Sequence, residues 1–123
     1  MAHVDRDQLA DWVAAYEQAW RTPGTEGLAK LFAANATYRT APDEEPYGGL
    51  AQISALWERE REGHDEVFTM NSQIVAVEGD TGVVRVHVRY GDPLEVAYQD
   101  LWIIRLDTAC RCAAFEEWPF RAD

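Results

Sequence analysis

Near residue 66 the period of the apolar residues changes. Before it, in DRDQLADWVAAYEQAW, Leu9, Trp12, Val13, Tyr16 and Trp20 recur at the spacing of one face of a helix. After it, in VVRVHVRY, Val84, Val86, Val88 and Tyr90 alternate with Arg85, His87 and Arg89, the spacing of a strand with one buried face. A chain that carries these two patterns in successive blocks must lay helices against a sheet, and short breaks between the later segments make that sheet antiparallel. The class is therefore α+β.

Asp5 and Gln8 are spaced to form a capping box, which places the first helix at about residues 5–21. Thr22, Pro23 and Gly24 break it, and Thr25 is positioned to cap a second helix carrying Leu28, Leu31 and Phe32 and ending near Asn35. The short strand ATYRT follows, then a loop marked by Pro42, Pro46, Gly48 and Gly49. Leu50, Ile53, Leu56 and Trp57 predict a third helix that stops at Gly63, with EREREG as its solvated end. From Glu66 onward, strands are expected at about 66–77, 83–90, 94–106 and 110–118, joined by hairpins at EGDTG, GDP and DT. The expected architecture is one domain over residues 1–123, three N-terminal helices packed in a strongly curved, mostly antiparallel sheet, with one early strand among the helices.

Charge narrows the partners. With 22 acidic residues against 11 basic ones the formal charge is -11, which repels phosphate backbones and gives no counterion release to drive nucleic-acid binding. No window reaches the length of apolar sequence that a membrane span needs, and the polar start MAHVDRDQLA lacks the apolar centre of a signal peptide, so a cytoplasmic location is expected. Four Phe, five Trp and five Tyr exclude a disordered chain. Cys110 and Cys112, in C-x-C spacing, are too close along a strand to bridge each other and read as free thiols. The sequence has no metal motif, no Gly-rich phosphate loop, no GxSxG and no HExxH, so no metal or cofactor is called for.

Strand parity then selects the inward side chains. In VAYQDLWIIRL, Val96, Tyr98, Asp100, Trp102, Ile104 and Leu106 share a face. The apolar weight of Trp102 and Ile104 turns that face, and Asp100 with it, toward the core. On the early strand Tyr38 and Thr40 share the inward face; helix one adds Tyr16 and Trp20, helix three adds Trp57, and Phe68 and Val86 are placed with them. An Asp flanked by Tyr98 and Trp102 is either an acid/base group made useful by desolvation or a structural acceptor that orders the core. Tyr16 is likewise a donor to a ligand or a packing aromatic.

Several separated joints carry a resemblance: "LFA-x-x-A-T-Y" after helix two, "EPYGGL" into helix three and the closing "FEEW" strand. Together with the order of elements they resemble the NTF2-like superfamily, with its SnoaL-like polyketide cyclases and ketosteroid isomerases. The resemblance implies a cone of helices and curved sheet whose mouth holds a small apolar ligand, and a convex sheet face that forms a homodimer. It also implies a cofactor-independent acid/base enzyme of isomerase, cyclase or lyase type acting on an apolar oxygenated cyclic substrate. The alternative is a non-catalytic dimeric binding module.

Carried over residue by residue, the resemblance puts Tyr16 at the oxyanion-hole tyrosine of the ketosteroid isomerases and Asp100 near their protonated aspartate. Their catalytic base is an aspartate on the first strand, where this chain has Thr40. An alcohol without its own base does not abstract a proton from carbon at neutral pH, which argues against steroid isomerisation. Neither the Asp-Arg-Asp relay of the family's epoxide hydrolases nor the His pair of its scytalone dehydratases falls on inward positions. The cyclases carry an acid near the end of the sheet, where this chain has Glu116 and Glu117. Glu117 is the one expected inside, by way of a bulge in the last strand, against the alternative that both are solvated at an edge. His64 is either a titrating group over the cone mouth or a surface residue.

Overall fold

The computed structural model describes residues 4–61 and 67–122. The elements are α1 (Arg6–Arg21), α2 (Leu28–Leu31), β1 (Phe32–Arg39), β2 (Tyr47–Gly48), α3 (Gly49–Glu60), β3 (Phe68–Glu78), β4 (Thr81–Tyr90), β5 (Val96–Leu106) and β6 (Cys112–Arg121). The six strands form one curved sheet in the order β2-β1-β6-β5-β4-β3, antiparallel throughout except for the parallel pair β1–β6.

The start of α1 follows from its sequence. The Asp5 carboxylate accepts from the Gln8 amide at 2.8 Å, and the Gln8 side chain accepts from the Asp5 amide at 3.0 Å, so two of the orphan donors of the first turn are satisfied. Leu9, Trp12, Val13 and Tyr16 form the buried face of α1, and the Trp12 indole donates to the Leu31 carbonyl at 2.9 Å.

The expectation of three N-terminal helices needs correction. Only α1 is long; α2 is a single turn of 4 residues, and β1 and β2 separate it from α3. The second helix does not run to Asn35, because from Phe32 the chain is already a strand, and its N-cap is Gly27, with no side-chain cap, rather than Thr25. Phe32-Ala-Ala has no strong local preference for a strand. Pairing with β6 at both ends of an irregular stretch, Phe32 opposite Cys112 and Tyr38 opposite Phe115, holds the chain extended against its helix propensity. The expected loop before α3 contains β2, whose Tyr47 pairs with Tyr38.

Residues that alternate in β4 and β5 behave as their period requires. Val84, Val86, Trp102, Ile104 and Leu106 are at most 2% exposed, whereas Arg85, His87, Arg89 and Arg105 are exposed on the opposite face. At Gly82 a Cβ would run into the Leu9 Cδ2 methyl. The glycine thus lets the first turns of α1 seat against β4. Because Leu9 is fully buried it has little room to yield, and Gly82→Ala should cost about 1–3 kcal/mol by overpacking, read as a lower denaturation midpoint at unchanged slope. A neutral effect would show that α1 can slide on the sheet.

Candidate active site

A cavity of about 680 Å³ opens between the helices and the concave face of the sheet. Each element delivers its lining by its own period: Tyr16 and Trp20, one turn apart, from α1; Tyr38 and Thr40 from β1; Leu56, Trp57 and Glu60 from α3; Phe68 and Met70 from β3; Tyr98, Asp100 and Trp102 from β5; Glu117 from β6. All five tyrosines reach it, Tyr47 and Tyr90 at the rim. Val86 does not. It shares the inward face but is fully buried under the floor, opposite Asp100 on β5, so it supports the site without lining it. His64 lies outside the described residues.

At the back, the Tyr16 and Tyr38 hydroxyls are 2.8 Å apart. Whichever donates, the proton of the other is left for a third oxygen. Burial above all holds both well above the usual tyrosine range, helped at Tyr16 by Tyr38 and then Glu117 and at Tyr38 by Glu117, so they act as donors and not as bases. Tyr16 is fixed by rings on three sides: Trp102 at 4.6 Å, Trp57 at 5.0 Å, and Phe115 stacked at 5.6 Å with 14° between planes. The Trp57 Nε1 is buried without a hydrogen-bond partner of good geometry, close to the Tyr38 hydroxyl.

Beside the phenols lies a pair of carboxyls. Asp100 is 7% exposed, the one buried charged residue among those described. The Trp102 indole donates to its Oδ2 at 3.3 Å, and Oδ1 is buried without a hydrogen-bond partner. On the next strand Glu117 stands opposite Trp102, which brings its carboxyl beside that of Asp100 on the same face. Burial raises both; for Glu117, the charge of Asp100 and a hydrogen bond to it add to burial and push it up to about 8. Two carboxyls that cannot both ionise at neutral pH share a proton, and a shared proton is what lets one act as acid while the other acts as base. Glu116 points to the other face, where it accepts from the Trp118 indole at 2.7 Å and meets Arg39 at 3.8 Å.

The sequence reading brings Tyr16, Trp20, Tyr38, Thr40, Trp57, Phe68, Tyr98, Asp100, Trp102 and Glu117 to one cavity. It did not include Glu60, Asp92 and Glu95 at the rim. Their only signal was position, at the end of a helix and in a turn beside strands with inward aromatics. Among the described residues no three His, Cys, Asp or Glu side chains converge as a metal site requires.

Residues 12–110 match the SnoaL-like domain, and the chain belongs to that family. The structure is similar to that of the epoxide hydrolase/cyclase-like enzyme SalBIII, studied for pyran ring formation in the polyether salinomycin: TM-score 0.76 at 14% identity, over 94% of this chain and 93% of that one. It is also similar to a candidate polyketide cyclase from Sinorhizobium meliloti, with a TM-score of 0.68 at 20% identity over 87% and 93% of the two chains. These likenesses establish an NTF2-like fold. A comparison with curated protein sequences gives no significant match.

Proposed function

We propose that the protein binds an apolar, oxygenated cyclic molecule in this cavity and catalyses a redox-neutral proton rearrangement, a cyclisation or isomerisation, without a cofactor. The observation that carries the reading is the adjacent Asp100–Glu117 pair set beside the Tyr16–Tyr38 hydroxyls in an aromatic-walled cavity. Family membership and the likeness to cyclase-like enzymes support it.

The roles follow from the protonation states. Protonated Glu117 gives its proton to a substrate oxygen as that oxygen gains charge, while the Asp100 carboxylate accepts one from an attacking hydroxyl or an activated carbon. The pair ends with one proton, as it began, and transfer from Asp100 to Glu117 resets it. The free tyrosine proton stabilises the same oxygen. Thr40 adds a hydrogen bond and no base.

A thermal-shift screen of cyclic ketones, polyketide fragments, terpenoids and steroids tests the binding half. A ligand at a hundredfold excess over Kd stabilises the native state by about 2.7 kcal/mol, which a melting curve resolves. With a substrate found, Asp100→Asn and Glu117→Gln should each lower turnover by about a hundredfold or more while leaving ligand-induced stabilisation in place. Unchanged turnover in both would take the carboxyl pair out of the chemistry, and no turnover of any bound ligand would leave the protein a binding module.

A further inference from the structure

The cavity carries charge of one sign. Glu60 at the end of α3, Asp92 and Glu95 between β4 and β5, Asp100 on β5 and Glu117 on β6 all line it, and among the described residues no Arg, Lys or His does. The nearest cations described stand against its aromatic walls without joining the lining. Arg21 lies over the Phe68 ring at 3.9 Å, Arg59 over Tyr47 at 5.7 Å and Arg61 over Trp20 at 5.8 Å. Two of these already have carboxylate partners, Arg21 with Glu17 and Arg61 with Glu58, both at 2.8 Å, and Arg59 donates to the Tyr47 hydroxyl at 3.1 Å. The remaining titratable groups that line the cavity are tyrosines: Tyr16 on α1, Tyr38 on β1, Tyr47 on β2, Tyr90 on β4 and Tyr98 on β5. From β3 only Phe68 and Met70 face it.

A second, independent feature is the Asp100 side chain. It is more than nine-tenths buried, it borders the cavity, and its Oδ1 has no fixed donor in the protein, the one proton offered to the carboxyl being the mobile one shared with Glu117. A buried carboxylate oxygen without a donor is an unmet demand that a ligand N–H can fill. Trp20, Trp57, Tyr90 and Tyr98 line the same cavity, and aromatic rings attract an organic cation through their quadrupoles. An anionic ligand would meet repulsion from every charged group in the lining.

We infer that the cavity selects a ligand with a protonated amine on an apolar cyclic skeleton, its N–H directed to Asp100 Oδ1 and Glu117 and its hydrocarbon against the aromatic walls. This deepens the reading above and rests on the cavity being a ligand site. The tyrosine pair and the unpaired Trp57 N–H are left to bind an oxygen of the same molecule. Because Glu117, at about 8, holds its proton at neutral pH, a bound ammonium should drive that proton off.

Titration calorimetry with three probes of one shape tests this: adamantanamine, adamantanol and adamantanecarboxylate. The expected result is that the amine binds about tenfold more tightly than the alcohol and the carboxylate most weakly. In buffers of different ionisation enthalpy the amine alone should show proton release. Glu117→Gln, and Asp100→Asn where melting curves show it folded, should remove the preference for the amine and keep the alcohol's affinity. An alcohol that binds as tightly as the amine overturns the charge inference and leaves the cavity as a ligand site. No binding by any probe overturns both.

Discussion

Arg61→Ala should lower the melting temperature by about 10 °C, the largest loss expected from any single exposed-looking position in the sequence. The side chain, 6% exposed, reaches from the end of α3 to the end of α1. It donates to the carbonyls of Thr22 at 2.8 Å and Gly24 at 2.7 Å, and more weakly to Ala19 at 3.3 Å and Trp20 at 3.4 Å. The last carbonyls of a helix have no intrahelical donor and carry the negative end of its dipole, so a planar cation with several N–H groups is suited to them. Its removal takes the short hydrogen bonds from the Thr22 and Gly24 carbonyls and uncouples the two helix ends, at a cost of about 3 kcal/mol. Arg61→Lys should recover only a minor part, since an ammonium cannot fork between the Thr22 and Gly24 carbonyls. The same change should weaken ligand binding, because Arg61 packs on Trp20, which meets Trp57 edge-on at 4.9 Å in the cavity wall. A melting temperature within a few degrees of wild type in both variants would mean that water replaces the guanidinium.

The second large effect is on pH. Stability should fall as the pH rises from about 5 to 9, and Glu117→Gln should flatten that fall. Glu117 titrates at about 8 in the folded protein against 4.5 when free, so between those values the folded state holds a proton that the unfolded chain has released. Its contribution is complete below 4.5 and is lost as the pH climbs through about 8, at a slope of at most about 1.4 kcal/mol per pH unit. Asp100 is raised in the same sense, so the transition belongs to the pair. Self-repulsion in a chain of formal charge -11 also acts against folding, but it is common to both proteins, and the difference between their profiles isolates the pair. Denaturant midpoints at several pH values measure this directly. Parallel profiles would place the Glu117 carboxyl in solvent.

How far the sequence reaches is clear from single residues. The capping box at Asp5 and Gln8 and the inward set Tyr98, Asp100 and Trp102 are legible because both follow from covalent geometry: the turn of a helix start, and the two-residue alternation of a strand. The SnoaL-like family was legible in its joints for the same reason, since each joint is a local turn. Phe32–Asn35 reads as helix because alanines favour helix, whereas the strand is anchored on its distant parallel neighbour β6 at Phe32 and again from Thr37. EREREG read as solvated, and nothing local shows that Arg61 would be covered by the end of α1.

The candidate site divides along the same line. Parity alone sends Asp100 inward, and parity cannot say whether Val86, on the same face, lines the cavity or lies beneath it; that depth depends on where the helices sit. The choice of Glu117 over Glu116, and its place beside Asp100, depend on the β5–β6 register that sets Glu117 opposite Trp102. Local sequence determined which way each side chain points, because that is set by bonds between neighbours. The tertiary structure decided which side chains meet, because the two carboxyls share a proton only where separate strands hold them together out of water.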